Sequence, residues 1–208
     1  MSRLKSIVFI SGNGSNLQNI IDNIASDYLK MDIVAVISNN ANAQGLVRAK
    51  ASGIETIVID TKDKYVDKLL VVMDAFEIDL IILSGFMKIL PEEFIKKYYG
   101  KIINIHPSLL PKFKGLDTHK KVLASKEEYH GASVHFVTSK LDGGPIIVQG
   151  KTKILKNDDE DILKSRIHKI EYTIFPLAIK WFIEDHIKQV SDRCYFDNEV
   201  LECPIEHL

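Results

Sequence analysis

SIVFISGNGSN, residues 6–16, decides the fold of this chain, because an apolar run leads directly into two closely spaced glycines. Residues 6–11 are largely β-branched or aromatic, which favours a buried strand. After Asn16, apolar residues recur at helical spacing, at Leu17, Ile20, Ile21 and Ile24. A strand, a glycine turn and a helix in this order predict the first βα unit of an α/β protein.

The same alternation continues along the first half of the chain. The pattern predicts further strands at 33–38, 54–59, 80–83 and 102–105, and helices at 15–28, 43–52, 64–76 and 92–98. Apolar strands separated by amphipathic helices are typical of a parallel sheet that is covered on both faces. The expected fold class is therefore α/β, a Rossmann-like, doubly wound, mostly parallel sheet with helices on both faces.

Beyond residue 111 the pattern changes. We expect strands at 131–137 and 144–155, a long helix at 158–185 bent by Pro176, and a short β-hairpin and tail at 191–208. The buried stripe of the long helix is predicted at Ile162, Ile167, Ile170, Ile174, Leu177 and Trp181. Since no linker or internal repeat interrupts the chain, one domain is expected.

The glycine loop after the first strand is a candidate anion site. Gly12 and Gly14 allow a tight turn, and the following helix offers unpaired amides, with Ser15 and Asn16 adding side-chain donors. A dinucleotide fingerprint would need a glycine where Leu17 stands and an acidic residue near positions 38–40. A mononucleotide or sugar phosphate fits better than NAD. The alternative is a simple glycine-rich turn in which Ser15 caps the helix.

Asn104 and His106 are the strongest catalytic candidates. They alternate with Ile103 and Ile105, so in a strand the two polar side chains share one face, and Pro107 then ends the strand. The acidic partner would be Asp142, in the run LDGG at 141–144. Two alternatives stay open: His106 could be a hydrogen-bonded core histidine, and Asp142 a turn residue of a hairpin.

Three of these features follow predicted parallel strands: the loop at 12–16, residues 84–87, and residues 104–106. In open α/β sheets, ligands bind outside the carboxyl ends of the strands. The agreement of the three positions therefore indicates a ligand site at this edge.

Composition and charge exclude several classes of function. The net charge of −1 leaves no broad basic surface for nucleic acid or an anionic membrane. The longest apolar stretch, 78–86, is too short to span a bilayer, and no cleavage signal follows the first residues, so a cytoplasmic location is expected. Cys194 and Cys203 could form a bridge, but reduced thiols are expected.

A metal site is also not expected. His119, His130 and His135 are close in sequence, but their spacing does not match a metal-ligand motif and the cysteines are distant.

Five motifs then occur in the order known from a family of enzymes: SGNGSN at 11–16, GFMKIL at 85–90, NIHPSLLP at 104–111, HGASVH at 130–135 and LDGG at 141–144. The chain resembles the phosphoribosylglycinamide formyltransferases, folate-dependent enzymes of purine synthesis, over nearly its whole length. The resemblance implies a single formyltransferase domain at 1–208. Its parts would be a nucleotide- and phosphate-binding half at 1–110, a folate-binding and catalytic-loop half at 111–190, and a C-terminal hairpin and tail at 191–208.

The resemblance also implies a role for individual residues. The catalytic set would be Asn104, His106 and Asp142. Glycinamide ribonucleotide would be bound by Gly14, Ser15, Asn16, Lys62 and Glu171. The folate would be bound by Met87, Lys88, Ile89, Leu90, Asn104, Thr138, Ser139, Lys140, Leu141 and Asp142. Lys62 and Lys88 replace arginines of the family, which keeps the charge but loses the two-pronged fork, so the change concerns affinity rather than chemistry.

The implied reaction moves the formyl group of 10-formyltetrahydrofolate, a co-substrate, to the amine of glycinamide ribonucleotide, without a metal. The implied partners are these small molecules, in a monomer or a homodimer. There are three alternatives. Methionyl-tRNA formyltransferase needs a further domain and a basic surface, and formyltetrahydrofolate hydrolase normally has a regulatory domain before the first strand. A non-catalytic nucleotide-binding module would tolerate substitution of His106.

Overall fold

The computed structural model describes residues 3–61 and 65–207. Its strands are β1 (Leu4–Ile10), β2 (Met31–Ser38), β3 (Glu55–Val58), β4 (Leu80–Leu83), β5 (Ile102–His106), β6 (Tyr129–Phe136), β7 (Ile146–Lys153), β8 (Ile187–Val190), β9 (Arg193–Phe196), β10 (Glu199–Val200) and β11 (Ile205–His207). Its helices are α1 (Ser15–Ala25), α2 (Gln44–Ala51), α3 (Tyr65–Asp74), α4 (Glu92–Lys97), α5 (Thr118–Leu123) and α6 (Glu160–Ile183). The chain forms two compact units, Met1–Asn104 and Ile105–Leu208, with the boundary inside β5.

The first unit is built on parallel strands in the order β5-β4-β1-β2-β3. Residues 7–10 of β1 and 80–82 of β4 have no solvent exposure, as expected for strands covered on both faces. The predicted alternation of strands and helices in this part of the chain is confirmed, with shifts of a few residues at the ends of elements.

The second unit contains an antiparallel pair, β6 and β7, against which α6 packs. Asp159 begins α6 by accepting a hydrogen bond from the Ile162 N–H (2.8 Å), and the helix continues through the buried Pro176. The predicted buried stripe is partly wrong. Ile162 is 48% exposed, because the buried face of the helix is formed by Leu163, Ile167, Glu171, Ile174, Phe175, Pro176, Ala178 and Ile179.

The C-terminal segment contains the expected short hairpin, formed by β9 and β10, but differs from the expected tail. β8, β9 and β10 form a small antiparallel sheet, and β11 is a strand of the main sheet. Ile205 pairs with Val148 and His207 with Gly150, in parallel. The short helix α5 also lacked a clear sequence pattern, since its six residues include only two apolar ones.

The main sheet has eight strands and is mostly parallel, which confirms the predicted fold class. Across the part of the chain that the structure describes, no helix is both long enough and apolar enough to cross a membrane.

Candidate active site

Strand β5 carries both polar candidates on one face. Ile103 and Ile105 are buried, at 0% and 5% exposure, and alternate with Asn104 and His106. Asn104 is half-buried and His106 is 6% exposed, at the last residue of the strand. The predicted arrangement of an amide and an imidazole two residues apart is therefore present.

An oxygen acceptor faces each ring nitrogen of His106. Nε2 lies 3.0 Å from the carbonyl oxygen of Phe113, and Nδ1 lies 3.5 Å from Oδ2 of Asp142. Neutral imidazole has only one N–H, so only the imidazolium can donate to both oxygens. The predicted pairing of His106 with Asp142 is present, whereas the contact with Phe113 was not predicted.

Asp142 is held in place by backbone geometry and by a hydrogen bond. Its φ of 42° lies in the left-handed region, which aspartate tolerates better than most residues. The Gly115 N–H donates to Oδ2 over 2.8 Å, and only 11% of the side chain is exposed. Asp142 is thus a turn residue, as the alternative interpretation held, and its carboxylate also faces the imidazole.

A second histidine approaches the same carboxylate and was missed as a site residue. His135 Nε2 lies 3.8 Å from Oδ1 of Asp142, and Nδ1 lies 2.8 Å from the carbonyl oxygen of Phe136. Burial lowers the pKa of His135, so its neutral form is favoured. A polar residue in the apolar strand that leads towards the LDGG turn was the available signal.

Residues 11–16, called the phosphate loop because the sequence predicts an anion site there, run from the end of β1 into the first turn of α1 in the first unit. Gly14 occupies the N-cap of α1 with φ 73°, and no side chain caps the helix, so the alternative in which Ser15 caps it is wrong. A Cβ on Gly14 would lie 2.5 Å from the Cα of Gly45. Both the backbone conformation and this contact require glycine.

The loop after β4 is tied to the phosphate loop through Ser11. The Met87 N–H donates to Ser11 Oγ over 2.8 Å, and the Ser11 hydroxyl donates to Asn39 Oδ1 over 2.5 Å. Met87 and Ile89 are 64% and 72% exposed, and Lys88 is exposed, whereas Leu90 is buried. Three of the four residues assigned to the folate thus present accessible side chains, while Leu90 packs in the core.

The other assigned residues differ in exposure. Thr138 is half-buried, while Ser139, Lys140 and Leu141 are exposed on the loop between β6 and β7. Glu171 is only 4% exposed on α6. Lys62 lies outside the described residues.

Two further histidines form a buried pair in the second unit. His119 Nδ1 lies 3.0 Å from His130 Nε2, with the rings edge to face. Desolvation lowers the pKa of each to about 4. Among the residues that the structure describes, no group of histidine, cysteine and acidic side chains could hold a metal ion.

This pair predicts a loss of stability in acid. The unfolded histidines have a pKa of about 6.5, so between about pH 6.5 and pH 4 the unfolded chain binds protons that the folded chain does not. The free energy of unfolding should therefore fall as the pH falls through this window. His119→Gln removes one such group and keeps a hydrogen-bonding side chain, so its melting temperature should depend less steeply on pH, as circular dichroism can measure.

Comparing wild type with His119→Gln also cancels an opposing effect of another histidine. The hydrogen bond that His186 donates to the Asp197 carboxylate raises the pKa of His186, which favours the folded state in acid, but His186 is present in both proteins. Parallel melting curves for wild type and His119→Gln across the window would contradict the prediction.

Comparison with known proteins shows the family to which the chain belongs. Residues 4–179 match the family model described as formyl transferase. The chain is 43% identical over 200 residues to phosphoribosylglycinamide formyltransferase of Escherichia coli (strain K12), covering 94% of each protein. It is 41% identical over 202 residues to the protein of that name from Haemophilus influenzae, covering 95% of each.

A solved structure agrees with these relatives. Phosphoribosylglycinamide formyltransferase from Coxiella burnetii superposes with a TM-score of 0.93 at 40% sequence identity, covering 99% of this chain and 100% of that one. The chain therefore belongs to the phosphoribosylglycinamide formyltransferase family.

Proposed function

We propose that this protein transfers the formyl group of 10-formyltetrahydrofolate to the amine of 5′-phosphoribosylglycinamide, giving formylated ribonucleotide and tetrahydrofolate in de novo purine biosynthesis. The single observation that carries the proposal is the Asp142 carboxylate, which lies 3.5 Å from the imidazole of His106. Membership of the family supports the choice of substrates.

The chemistry needs donors for a developing oxyanion. The substrate amine attacks the formyl carbon and gives a tetrahedral intermediate, whose oxygen accepts hydrogen bonds from the Asn104 amide and protonated His106. Each well-placed donor stabilises such an oxyanion by about 3–4 kcal/mol. Because Phe113 O lies at hydrogen-bond distance from Nε2 in this structure, the formyl oxygen has to replace it there.

Asp142 orients the imidazole and passes protons. Its carboxylate at Nδ1 stabilises the imidazolium while the oxyanion exists. The same carboxylate helps to move the proton from the attacking amine to N10 of the folate, directly or through water. No covalent enzyme intermediate is required.

The binding residues are proposed in the roles that the family resemblance implies. Gly14, Ser15 and Asn16 bind the phosphate, Glu171 binds the ribose, and Lys62 adds charge near the phosphate. The folate is bound by Met87, Lys88, Ile89, Leu90, Asn104, Thr138, Ser139, Lys140, Leu141 and Asp142. Exposure of Met87 and Ile89 supports their part in this set, because exposed apolar side chains can stack on a flat ring. A cytoplasmic location and a monomer or homodimer stay predictions.

One assay tests the proposal. Purified protein is mixed with 10-formyltetrahydrofolate or its 5,8-dideaza analogue, with and without glycinamide ribonucleotide, and deformylation is followed by absorbance. Turnover that depends on the ribonucleotide is the expected result. Deformylation without any acceptor would instead indicate a hydrolase, and no deformylation in either mixture would indicate a binding module.

A further inference from the structure

All four carbonyl groups of residues 11–14 accept hydrogen bonds from outside the phosphate loop or from the helix that follows it. The donors and distances are Asn40 Nδ2 to Ser11 O (3.3 Å), Gly45 N to Gly12 O (3.0 Å), Arg48 Nε to Asn13 O (3.0 Å) and Gln18 N to Gly14 O (2.9 Å). The loop backbone is therefore held by its oxygens, three of which are bound by groups at or just before α2.

Because the loop carbonyls are held in place, the direction of the N–H group that follows each of them is fixed as well. In a trans peptide the C=O and the following N–H point in opposite directions. The N–H groups of Asn13 and Gly14 are thus directed away from the donors that hold the carbonyls of Gly12 and Asn13. Within the described residues neither N–H has a hydrogen-bond partner. Successive amides presented in this way bind anions.

Arg48 is the charged member of the donors. Its Nε donates to the backbone oxygen of Asn13, and one terminal nitrogen lies 3.4 Å from the Asn13 side-chain oxygen. The guanidinium thus contacts both the backbone and the side chain of Asn13, which lies 35 residues earlier in the sequence. Among the described residues no carboxylate forms an ion pair with Arg48.

We propose that Arg48 is a positioning residue for the substrate phosphate: it holds the Asn13 carbonyl back so that the loop amides face the anion. The inference rests on the proposed function, in which this loop binds the phosphate of glycinamide ribonucleotide. Without Arg48 the peptide between Asn13 and Gly14 can rotate, and its carbonyl would then face the phosphate and repel it. Lysine cannot replace this two-point contact with Asn13, because an ammonium group lacks the planar fork of a guanidinium.

The test compares Arg48→Gln and Arg48→Lys with a matched control, Lys50→Gln. Lys50 lies in the same last turn of α2 and is exposed, so the control removes the same charge without touching the loop. Because the charge-assisted hydrogen bond from Arg48 is lost or misdirected, we expect the KM for glycinamide ribonucleotide to rise by at least about tenfold in both Arg48 variants. The kcat, the KM for formylfolate and the melting temperature should stay near those of wild type, and Lys50→Gln should behave as wild type.

Several outcomes would overturn the role of Arg48. A wild-type KM for Arg48→Lys would show that the positive charge alone matters. Equal effects of Arg48→Gln and Lys50→Gln would show that any positive charge on this part of α2 has the same electrostatic effect. A fall in kcat or a rise in the folate KM as large as the change for the ribonucleotide would indicate a merely structural role. If Arg48→Gln does not fold, the KM of Arg48→Lys for glycinamide ribonucleotide tests the proposal.

The proposed function and this inference can fail separately. Ribonucleotide-dependent turnover by wild type, together with unchanged Arg48 variants, would overturn only the inference. If wild type shows no such turnover, the proposed function fails, and calorimetric titration with ribose 5-phosphate then tests Arg48 alone. Weaker binding by the Arg48 variants than by Lys50→Gln would support the role, and equal binding would overturn it.

Discussion

Asp142→Asn is expected to lower kcat by about 10²–10³-fold and to change both KM values far less. Asparagine keeps the shape of the side chain and an oxygen for the Gly115 N–H, but it loses the negative charge that faces His106. The imidazolium that donates to the oxyanion is then no longer stabilised. Steady-state kinetics with each substrate varied in turn measures the two effects separately.

Asp117→Asn is the matched control for this variant. Asp117 has φ 59°, in the same region of backbone conformation as Asp142 at φ 42°, and it belongs to the same unit of the chain. The control removes one charge from an exposed residue that is not assigned to the site, so its turnover should be that of wild type. His106→Ala and Asn104→Ala should also reduce kcat far more than affinity. Near-native turnover in any of the three site variants would remove that residue from the catalytic set.

Gly14→Ala is expected to have the second large effect, on both stability and binding. A non-glycine residue at φ 73° costs about 1–2 kcal/mol. In addition, the new Cβ would lie 2.5 Å from the backbone of Gly45, so the phosphate loop and α2 have to separate. We expect a lower melting temperature and a KM for glycinamide ribonucleotide raised by about tenfold or more, because the loop amides move.

Gly12→Ala makes the same chemical change two residues earlier. A Cβ there would meet nothing within 4 Å, and the residue does not have a positive φ. Its melting temperature should therefore match that of wild type. If both alanine variants melted at the same temperature, the close contact between Gly14 and Gly45 would not be a determinant of stability.

Local sequence was sufficient where neighbouring residues decide the structure. The continuous apolar run of β1 and the glycines after it predict a buried strand and a turn, because both depend on the residues themselves. Strict alternation in β5 likewise predicts that Asn104 and His106 share a face. The LDGG turn made Asp142 a candidate partner of His106, the family resemblance implies the same pairing, and the short distance between the two side chains agrees with it.

Packing decided features that no local pattern contains. α6 buries Leu163 and exposes Ile162. Because both residues are apolar, only the surface that the helix covers decides which of them faces inward. β11 has three residues and joins the sheet only because β7 offers a free edge to it. Its sequence alone is too short to predict a strand.

What the sequence by itself determined is thus the order of strands and helices in the first unit, the glycine turn after β1, and the amide and imidazole at the end of β5. Only the tertiary structure placed His135 beside Asp142, the Phe113 carbonyl on His106, and the Arg48 guanidinium on Asn13. Secondary structure follows from the periodicity of adjacent residues. Contacts between elements depend instead on how the buried faces pack, and that is a property of the whole fold.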